Sequence, residues 1–467
     1  MWNIASVRRR ALQSMLVAFL LLAPHHSARP EAPKIDFEQA VHQGRRLSAH
    51  EAQALEQRLE RELGDLSARA QLLAYYFFRS SREQDPELAK AARQRHILWL
   101  IRNHPEAELA GMPVASIDRT GHALADAGAY EQARRLWIEA AGRPEASPAV
   151  LIHAARFFRL ADKPLAETYL LRAREQRPGD PAPSGALGEL YALAVLGATM
   201  TNHNGLISKV DPSEASSEFA RSAAAALQSS DDAVVLGSAG YLLMFQGGVL
   251  SRLGQIDSDP STLAQQCIAK AKQLDPRNPA YAETMASFYR NQAMMAPSAA
   301  DKLEWNNKAL IELEHAVDLT ADPEDRLAML TSLVRAAFDA GRLAKAETRA
   351  QELLVKAPAF PSSWNYGNAI HHGHLVIGRI LLQRGEVEAA KARLLEAGAT
   401  PGSPQLDSFG PNMSLAKELL ERGEKESVLL YFERCASFWK MDRGRLDQWR
   451  AEVEAGRIPE FGANLLY

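Results

Sequence analysis

Two cysteines in 467 residues are too few for a disulfide framework. Cys267 and Cys435 lie far apart on segments with helical periodicity and read as buried thiols rather than a bridge. Runs rich in Val, Ile and Thr, the usual strand formers, are scarce, whereas alanine and leucine dominate; an all-helical chain is expected. Neither sign of charge prevails. The 54 Lys and Arg against 57 Asp and Glu give −3, which lacks the basic footprint of a nucleic-acid binder, and no nucleic-acid partner is expected. Beyond the first residues the sequence shows no apolar run of transmembrane length. Catalytic signatures are missing as well. No serine sits in a Gly-x-Ser-x-Gly elbow, neither cysteine has a nearby histidine, and no glycine-rich phosphate loop joins a strand to a helix. Neither enzymatic activity nor a cofactor is expected.

The N-terminus carries an address. Arg8, Arg9 and Arg10 precede MLVAFLLLA at residues 15–23, an apolar core too short to span a bilayer comfortably, and His26-Ser27-Ala28 offers a cleavage site. Residues 1–28 therefore read as a signal peptide, cut after Ala28, on a periplasmic or secreted bacterial protein. Loss of its three arginines takes the net charge from −3 to −6. The alternative is an uncleaved helix that tethers an envelope assembly factor to the membrane.

The clearest pattern lies at residues 374–397, HLVIGRILLQRGEVEAAKARLLEA. Leu375, Ile377, Gly378, Leu381 and Leu382 form an apolar stripe at helical spacing. Gly385 can end a helix in the left-handed conformation, and Glu386 and Glu388 suit the positive end of the next one. Ala389, Ala390, Leu394, Leu395 and Ala397 give that second helix its buried face, with Thr400, Pro401 and Gly402 beyond it. Gly378 and Ala390 are small where two helices would cross.

Weaker copies recur. Gly121, Leu124 and Gly128 precede Ala133, Trp137 and Ala140; Ala154 and Phe157 precede Ala166, Leu170, Ala173 and Pro178; Gly188 and Tyr191 open another. After an interruption, Ala264, Ile268, Ala271 and Pro276 close a unit. Ala282, Met285, Ala286 and Tyr289 then pair with Ala309, Leu313 and Ala316. Leu333, Val334 and Ala337 pair with Ala346, Ala350 and Pro358, and Leu415, Ala416 and Leu419 with Val428, Phe432 and Cys435. A small residue early in helix A, alanines in helix B and a closing proline resemble the tetratricopeptide (TPR) repeat. The resemblance covers residues 120–196 and 263–436. It implies an all-α, TPR-like helical-repeat solenoid of about eight helix pairs. The expected organisation is a signal peptide over 1–28, N-terminal repeats over 35–196, an irregular helical spacer over 197–262, C-terminal repeats over 263–436, and a capping helix with an apolar tail over 437–467. Within the spacer, residues 199–214 read as a loop. In the cap, Trp439, Trp449, Phe461, Leu465, Leu466 and Tyr467 are expected to cover the last repeat, and the tail resembles the ends of bacterial exported TPR proteins. Phe409-Gly410-Pro411-Asn412 is echoed by Phe461-Gly462-Ala463-Asn464. Chance accounts for the echo; the alternative is a paired turn.

The resemblance also implies a groove lined by the A helices, into which the residue after each small packing position points. Val334, Gly378 and Ala416 hold that position, so Arg335, Arg379 and Lys417 would line the groove. His372 and Gln383 would join them. Three cations in register suit an acidic segment or a chain-terminal carboxylate; a protein or peptide partner is the expectation. The rival site is the histidine cluster. His371, His372 and His374 are metal candidates, and His371 and His374 would share a helix face. A catalytic zinc needs three protein ligands, however, and the helical two-histidine motif with its glutamate is absent. In the opposing reading His371 and His372 sit in a loop before helix A, bonded to Asn365 and Asn368.

Overall fold

The computed structural model describes residues 35–465 apart from 80–85, 120–124, 203–204 and 258. The signal segment, Gly121, Leu124, Leu466 and Tyr467 lie outside the described residues. The described chain is all-α save for one two-stranded hairpin, and it divides into two compact units, 35–274 and 275–465. The division at 274/275 and the expected boundary at 262/263 differ by one helix, Ser261–Leu274.

In the first unit α1 (Phe37–Gly44) and α2 (Ala49–Arg61) both pack on α3 (Leu66–Arg79), which α4 (Pro86–Asn103) also contacts. The start of α2 is set by a capping box: Ser48 accepts from the Glu51 amide and the Glu51 carboxylate accepts from the Ser48 amide. The aromatic run at residues 75–78 packs as helix contact. Tyr75 is buried, Tyr76 donates to Glu56 at 2.8 Å, and the guanidiniums of Arg93 and Arg45 lie over Phe77 and Phe78. Next come α5 (Ala127–Gly142), α6 (Pro148–Phe158), α7 (Lys163–Gln176) and α8 (Pro181–Val195), each against its predecessor. Ala133, Ala154, Ala166 and Ala173 are fully or almost fully buried, as the repeat pattern requires.

The spacer is more ordered than a loop. β1 (Ala198–Thr201) and β2 (Ile207–Val210) pair antiparallel. The Gln246 side chain pins the hairpin, accepting from the Ile207 amide at 2.6 Å and donating to the Gly205 carbonyl at 3.2 Å. Long-range side-chain tethers of this kind leave no local pattern in sequence. Short α9 (Pro212–Ala215) and α10 (Glu218–Ser229) follow. Next, α11 (Ala233–Leu242) runs through a π-helical turn, Leu243–Gly247, into α12 (Gly248–Arg252). Residues Ala233–Arg252 are helical for 20 residues with mean hydropathy 1.6, long and apolar enough to cross a membrane, which corrects the expectation of no such run. Half of the stretch is buried inside the unit, with α11 packed between α8 and α13 (Ser261–Leu274), so the apolar surface already has protein partners.

The second unit holds four A/B pairs and a capping helix. α14 (Pro279–Met295) lies on α15 (Ala299–Leu319), α16 (Pro323–Asp339) on α17 (Leu343–Lys356), and α18 (Tyr366–Gln383) on α19 (Val387–Gly398). After the short α20 (Pro404–Phe409), α21 (Ser414–Leu420) pairs with α22 (Lys425–Cys435), and α23 (Arg445–Glu454) packs on α22. Adjacent A helices α16 and α18 also touch, as in a repeat stack. Gly378 shows why the crossing position must be small: a Cβ there would stand 2.4 Å from Leu415 Cδ2 and 3.0 Å from Arg393 Cβ. Gly385, at φ 81°, reverses the chain between α18 and α19. Successive repeats are bridged on the surface. Lys345 pairs with Glu314, Arg384 with Glu347 and Lys391 with Glu424, while Arg422 and Arg434 donate to the carbonyls of Leu382 and Leu395.

At the C-terminal end Trp439, Trp449 and Phe461 bury against Phe432, forming the cap expected from sequence. The four-residue echo is a real pairing. Asn464 Nδ2 donates to the carbonyls of Phe409 and Pro411 at 3.2 and 2.9 Å, and the Met413 amide donates to the Asn464 carbonyl at 2.8 Å. The second turn thus fastens the first. Cys267 and Cys435 are both buried and unbridged, and burial pushes the Cys267 thiol up to about 11.

Candidate functional site

The A helices α14, α16, α18 and α21 carry the residues expected to line a groove. Arg335, one residue past the packing position Val334, is half-buried on α16, and its positive charge acts on both His371 and His372. Arg379 holds the equivalent place on α18. It is already engaged: Nε and Nη2 donate to Glu418 Oε1 at 2.8 and 2.6 Å, and the guanidinium carbon lies 4.2 Å from the Phe338 ring centroid. Its carboxylate partner is on α21, so this pair also joins consecutive repeats. Lys417 follows Ala416 on α21 with 42% of its side chain exposed, and its nearest carboxylate oxygen, on Glu421, stands at 4.0 Å. Gln383 is exposed at the last residue of α18.

Two residues unremarked in the sequence belong to the same faces. Arg290 sits one helical turn beyond Ser287, which follows the packing position Ala286 on α14. Burial lowers its pKa and the charge of Asp339 opposes that shift. Phe338, one turn beyond Arg335 on α16, supplies an apolar floor beneath Arg379. Both were legible in principle, because i and i+3 share a helix face, so the residue one turn beyond each groove position faces the same way.

The histidines occupy helix, not loop. Residues 368–374 lie within α18, whose first turns extend well before the repeat motif. Asn365 and Asn368 bond elsewhere: Asn365 Nδ2 donates to Thr331 Oγ1, while Asn368 Nδ2 donates to Asn365 Oδ1 and to Gln405 Oε1. Ser403 donates to Asn368 Oδ1 at 2.7 Å. This amide chain ties α18 to α16 and α20 and satisfies polar groups that are buried.

His371 is fully buried and serves as a backbone bracket. The Asn412 amide donates to its Nε2 at 3.0 Å, which makes Nε2 the acceptor and leaves Nδ1–H to donate to the Ala397 carbonyl, also at 3.0 Å. Burial lowers its pKa to about 4, so the ring is neutral at pH 7. Both nitrogens are thereby spent, and none is left for a metal ion. His374 points its Nδ1 at Glu396, 2.9 Å away, with Arg393 at 3.2 Å. His371 and His374 are thus held by different partners rather than turned toward one shared ligand. Among the described residues no group of three or more His, Cys, Asp or Glu is placed to hold a metal ion. His372 is buried, and burial first, then the charges of Arg335, His371 and Arg290, push its pKa well below the usual value.

No family model and no curated protein matches this chain. Among solved structures it is similar to the human IFIT1 dimer with m7Gppp-AAAA, at 15% identity and a TM-score of 0.30 over 90% of this chain and 99% of that one. The human IFIT1 dimer with PPP-AAAA gives 16% identity and a TM-score of 0.30 over the same shares. A circular tandem repeat protein with novel repeat topology and enhanced subunit contact surfaces gives 12% and 0.26 over 90% and 95%. Likeness at this level carries no argument about a ligand, and the helical-repeat assignment rests on the helix pairing itself. One expectation is nevertheless corrected. The exclusion of nucleic acid, which rested on net charge alone, is withdrawn; two of these neighbours are solved with m7Gppp-AAAA or PPP-AAAA. The physical reason is plain: a net charge summed over 467 residues does not measure one helix face that carries Arg290, Arg335, Arg379 and Lys417.

Proposed function

We propose that this chain is an exported helical-repeat scaffold that binds a protein or peptide partner along the A-helix face of residues 275–465, without catalysis of its own. The carrying observation is the run of cations on successive A helices, Arg290, Arg335, Arg379 and Lys417, with Phe338 beneath one of them. Positive side chains spaced along a stack suit an extended acidic segment, which gains charge-assisted hydrogen bonds at several points while each repeat contributes little alone. The Arg379–Glu418 pair would have to be shared or opened by such a partner, which favours a ligand that brings its own carboxylates.

Affinity capture from an envelope fraction, comparing the native protein with a triple variant Arg335→Glu, Arg379→Glu, Lys417→Glu, tests this directly. Partner recovery should drop at least ten-fold in the variant. Equal recovery would remove the groove from the account, and recovery of RNA in place of protein would overturn the choice of partner. Export is tested by N-terminal sequencing of the mature product: a start at Arg29 supports the cleaved form, and an intact N-terminus supports the tethered assembly factor.

A further inference from the structure

Between α4 and α5 of the first unit lies a cleft of about 440 Å³, within the size range of small-molecule sites. Leu98 and Trp99 give it an apolar wall, while Gln94, Arg95 and Arg102 of α4 and Gln132 of α5 supply its polar groups. Arg95, Trp99 and Arg102 stand at i, i+4 and i+7, so they share one helix face. Among the described residues no acidic side chain lines the cleft. The two lining cations differ. Arg95 Nη2 donates to Glu56 Oε2 at 2.8 Å, whereas Arg102 is exposed and makes no hydrogen bond or ion pair among the described residues. Gln94 Nε2 is enclosed without an acceptor, and the help it gives the Asp126 carboxylate falls outside hydrogen-bonding geometry. Asp126 is occupied by the Ala129 amide at 2.7 Å and by Lys90 at 3.5 Å.

A buried network fixes two of the lining residues from the protein side. The Arg69 guanidinium carbon lies 3.5 Å from the Trp99 ring centroid, and Arg69 is itself only 3% exposed. It donates from Nη2 to the Leu63 carbonyl at 2.8 Å and from Nη1 to His96 Nδ1 at 2.9 Å. His96 is therefore left with an Nε2–H, which donates to Glu56 Oε1 at 2.9 Å. Tyr76 donates to the same oxygen, and the other oxygen of Glu56 holds Arg95. Trp99 and Arg95 are thus set in place by one chain of bonds, with little side-chain freedom left to lose on binding.

We propose that this cleft binds a small aromatic monocarboxylate, whose ring lies on Trp99 and Leu98 and whose carboxylate pairs with Arg102. The charge count selects the anion. Arg95 is already offset by Glu56, which leaves one lining guanidinium without a carboxylate and favours a single negative charge over a dianionic phosphate. A planar guanidinium takes a carboxylate through two parallel N–H donors, and an indole wall suits an aromatic body. Gln94 stands about two turns before Arg102 along α4, so its unmet N–H is offered to an acceptor at the other end of the ligand. The site lies wholly within the first unit and is independent of the groove proposed on residues 275–465.

Titration calorimetry of the full chain with indole-3-acetate tests this, run at two temperatures so that burial of the ring cannot leave both silent. Acetate serves as the charge-only control, indole as the ring-only control and phenyl phosphate as the dianion. Indole-3-acetate should bind one site per chain, about ten-fold or more tightly than each of the three. Arg102→Gln removes a side chain with no bond to lose among the described residues, so the protein stays folded while affinity drops about five-fold or more. Arg102→Lys should recover part of that loss. Trp99→Leu should cost about ten-fold, with circular dichroism checking its fold because Arg69 rests on the indole. Should that variant not fold, the Arg102 pair decides alone. No heat at either temperature with indole-3-acetate up to about 10 mM overturns the proposal. So does affinity unchanged by Arg102→Gln, or acetate bound as tightly as indole-3-acetate. Tighter binding of phenyl phosphate overturns the choice of anion.

Discussion

At the scale of single residues, buried polar side chains here are mostly brackets, each with a countable set of bonds. Arg93 is almost completely buried and donates to the Val114 carbonyl at 3.2 and 3.0 Å and to the Ser116 carbonyl at 2.5 Å. Arg93→Met keeps the bulk but strands these acceptors; a loss of about 2–4 kcal/mol is expected in chemical denaturation of the N-terminal unit. His371 gives a pH signature. Its folded pKa, about 4, lies below the ordinary value of 6.5, so protonation favours the unfolded chain. Its contribution is complete above about pH 6.5, declines as pH falls and levels off below about 4, a change of up to about 3 kcal/mol. His371→Phe leaves the Ala397 carbonyl and the Asn412 amide unmet and should destabilise at neutral pH. The gap between it and the native protein should narrow between about pH 7 and pH 4.5, measured by urea unfolding. A constant gap would show that the ring titrates alike in the folded and unfolded chain, so that folding does not lower its pKa. Glu56 acts in the opposite chemical sense. Burial would raise its pKa, but hydrogen bonds from His96 and Tyr76 and the charge of Arg95 hold it at about 2, so its support is present above pH 4.5 and is lost as pH falls toward 2.

At the scale of elements, the repeat pattern was readable because alanine and glycine at fixed spacing mark places where helix backbones meet. Ala309, Ala316, Ala346 and Ala350 are all fully buried, and Gly378 sits against Leu415 as its size suggested. Gly378→Val should therefore lower the stability of the C-terminal unit by about 1–3 kcal/mol or more, seen as an earlier thermal transition, while Gly378→Ala costs less. What could not be read were features made by partners distant in sequence. The hairpin at 198–210 is pinned by Gln246, the His371 ring is held by Asn412 and Ala397, and Arg379 is paired with Glu418, 39 residues away. The site was legible as a list of cations. Which of them were already paired was not.

At the scale of the whole molecule, a stack of helix pairs leaves one apolar face uncovered unless its last repeat is closed. Trp439, Trp449, Val453 and Phe461 close it here. Deletion of residues 437–467 should expose the α22 face and send the shortened chain into aggregates on size-exclusion chromatography, whereas Asn464→Ala should yield a soluble protein with a lowered thermal midpoint. The absence of a strong net charge gives little electrostatic protection against such association.

The tie from Asn464 to the turn at residues 409–413 has a consequence in time. Synthesis runs from the N-terminus, so the chain makes that turn some fifty residues before the asparagine that secures it. A ribosome's exit tunnel shelters the newest residues, so this repeat waits unfastened until Asn464 has been made and has emerged. A chain truncated before Asn464 would keep its earlier helix pairs but leave this one unlatched, a difference that cellular proteases are well suited to detect.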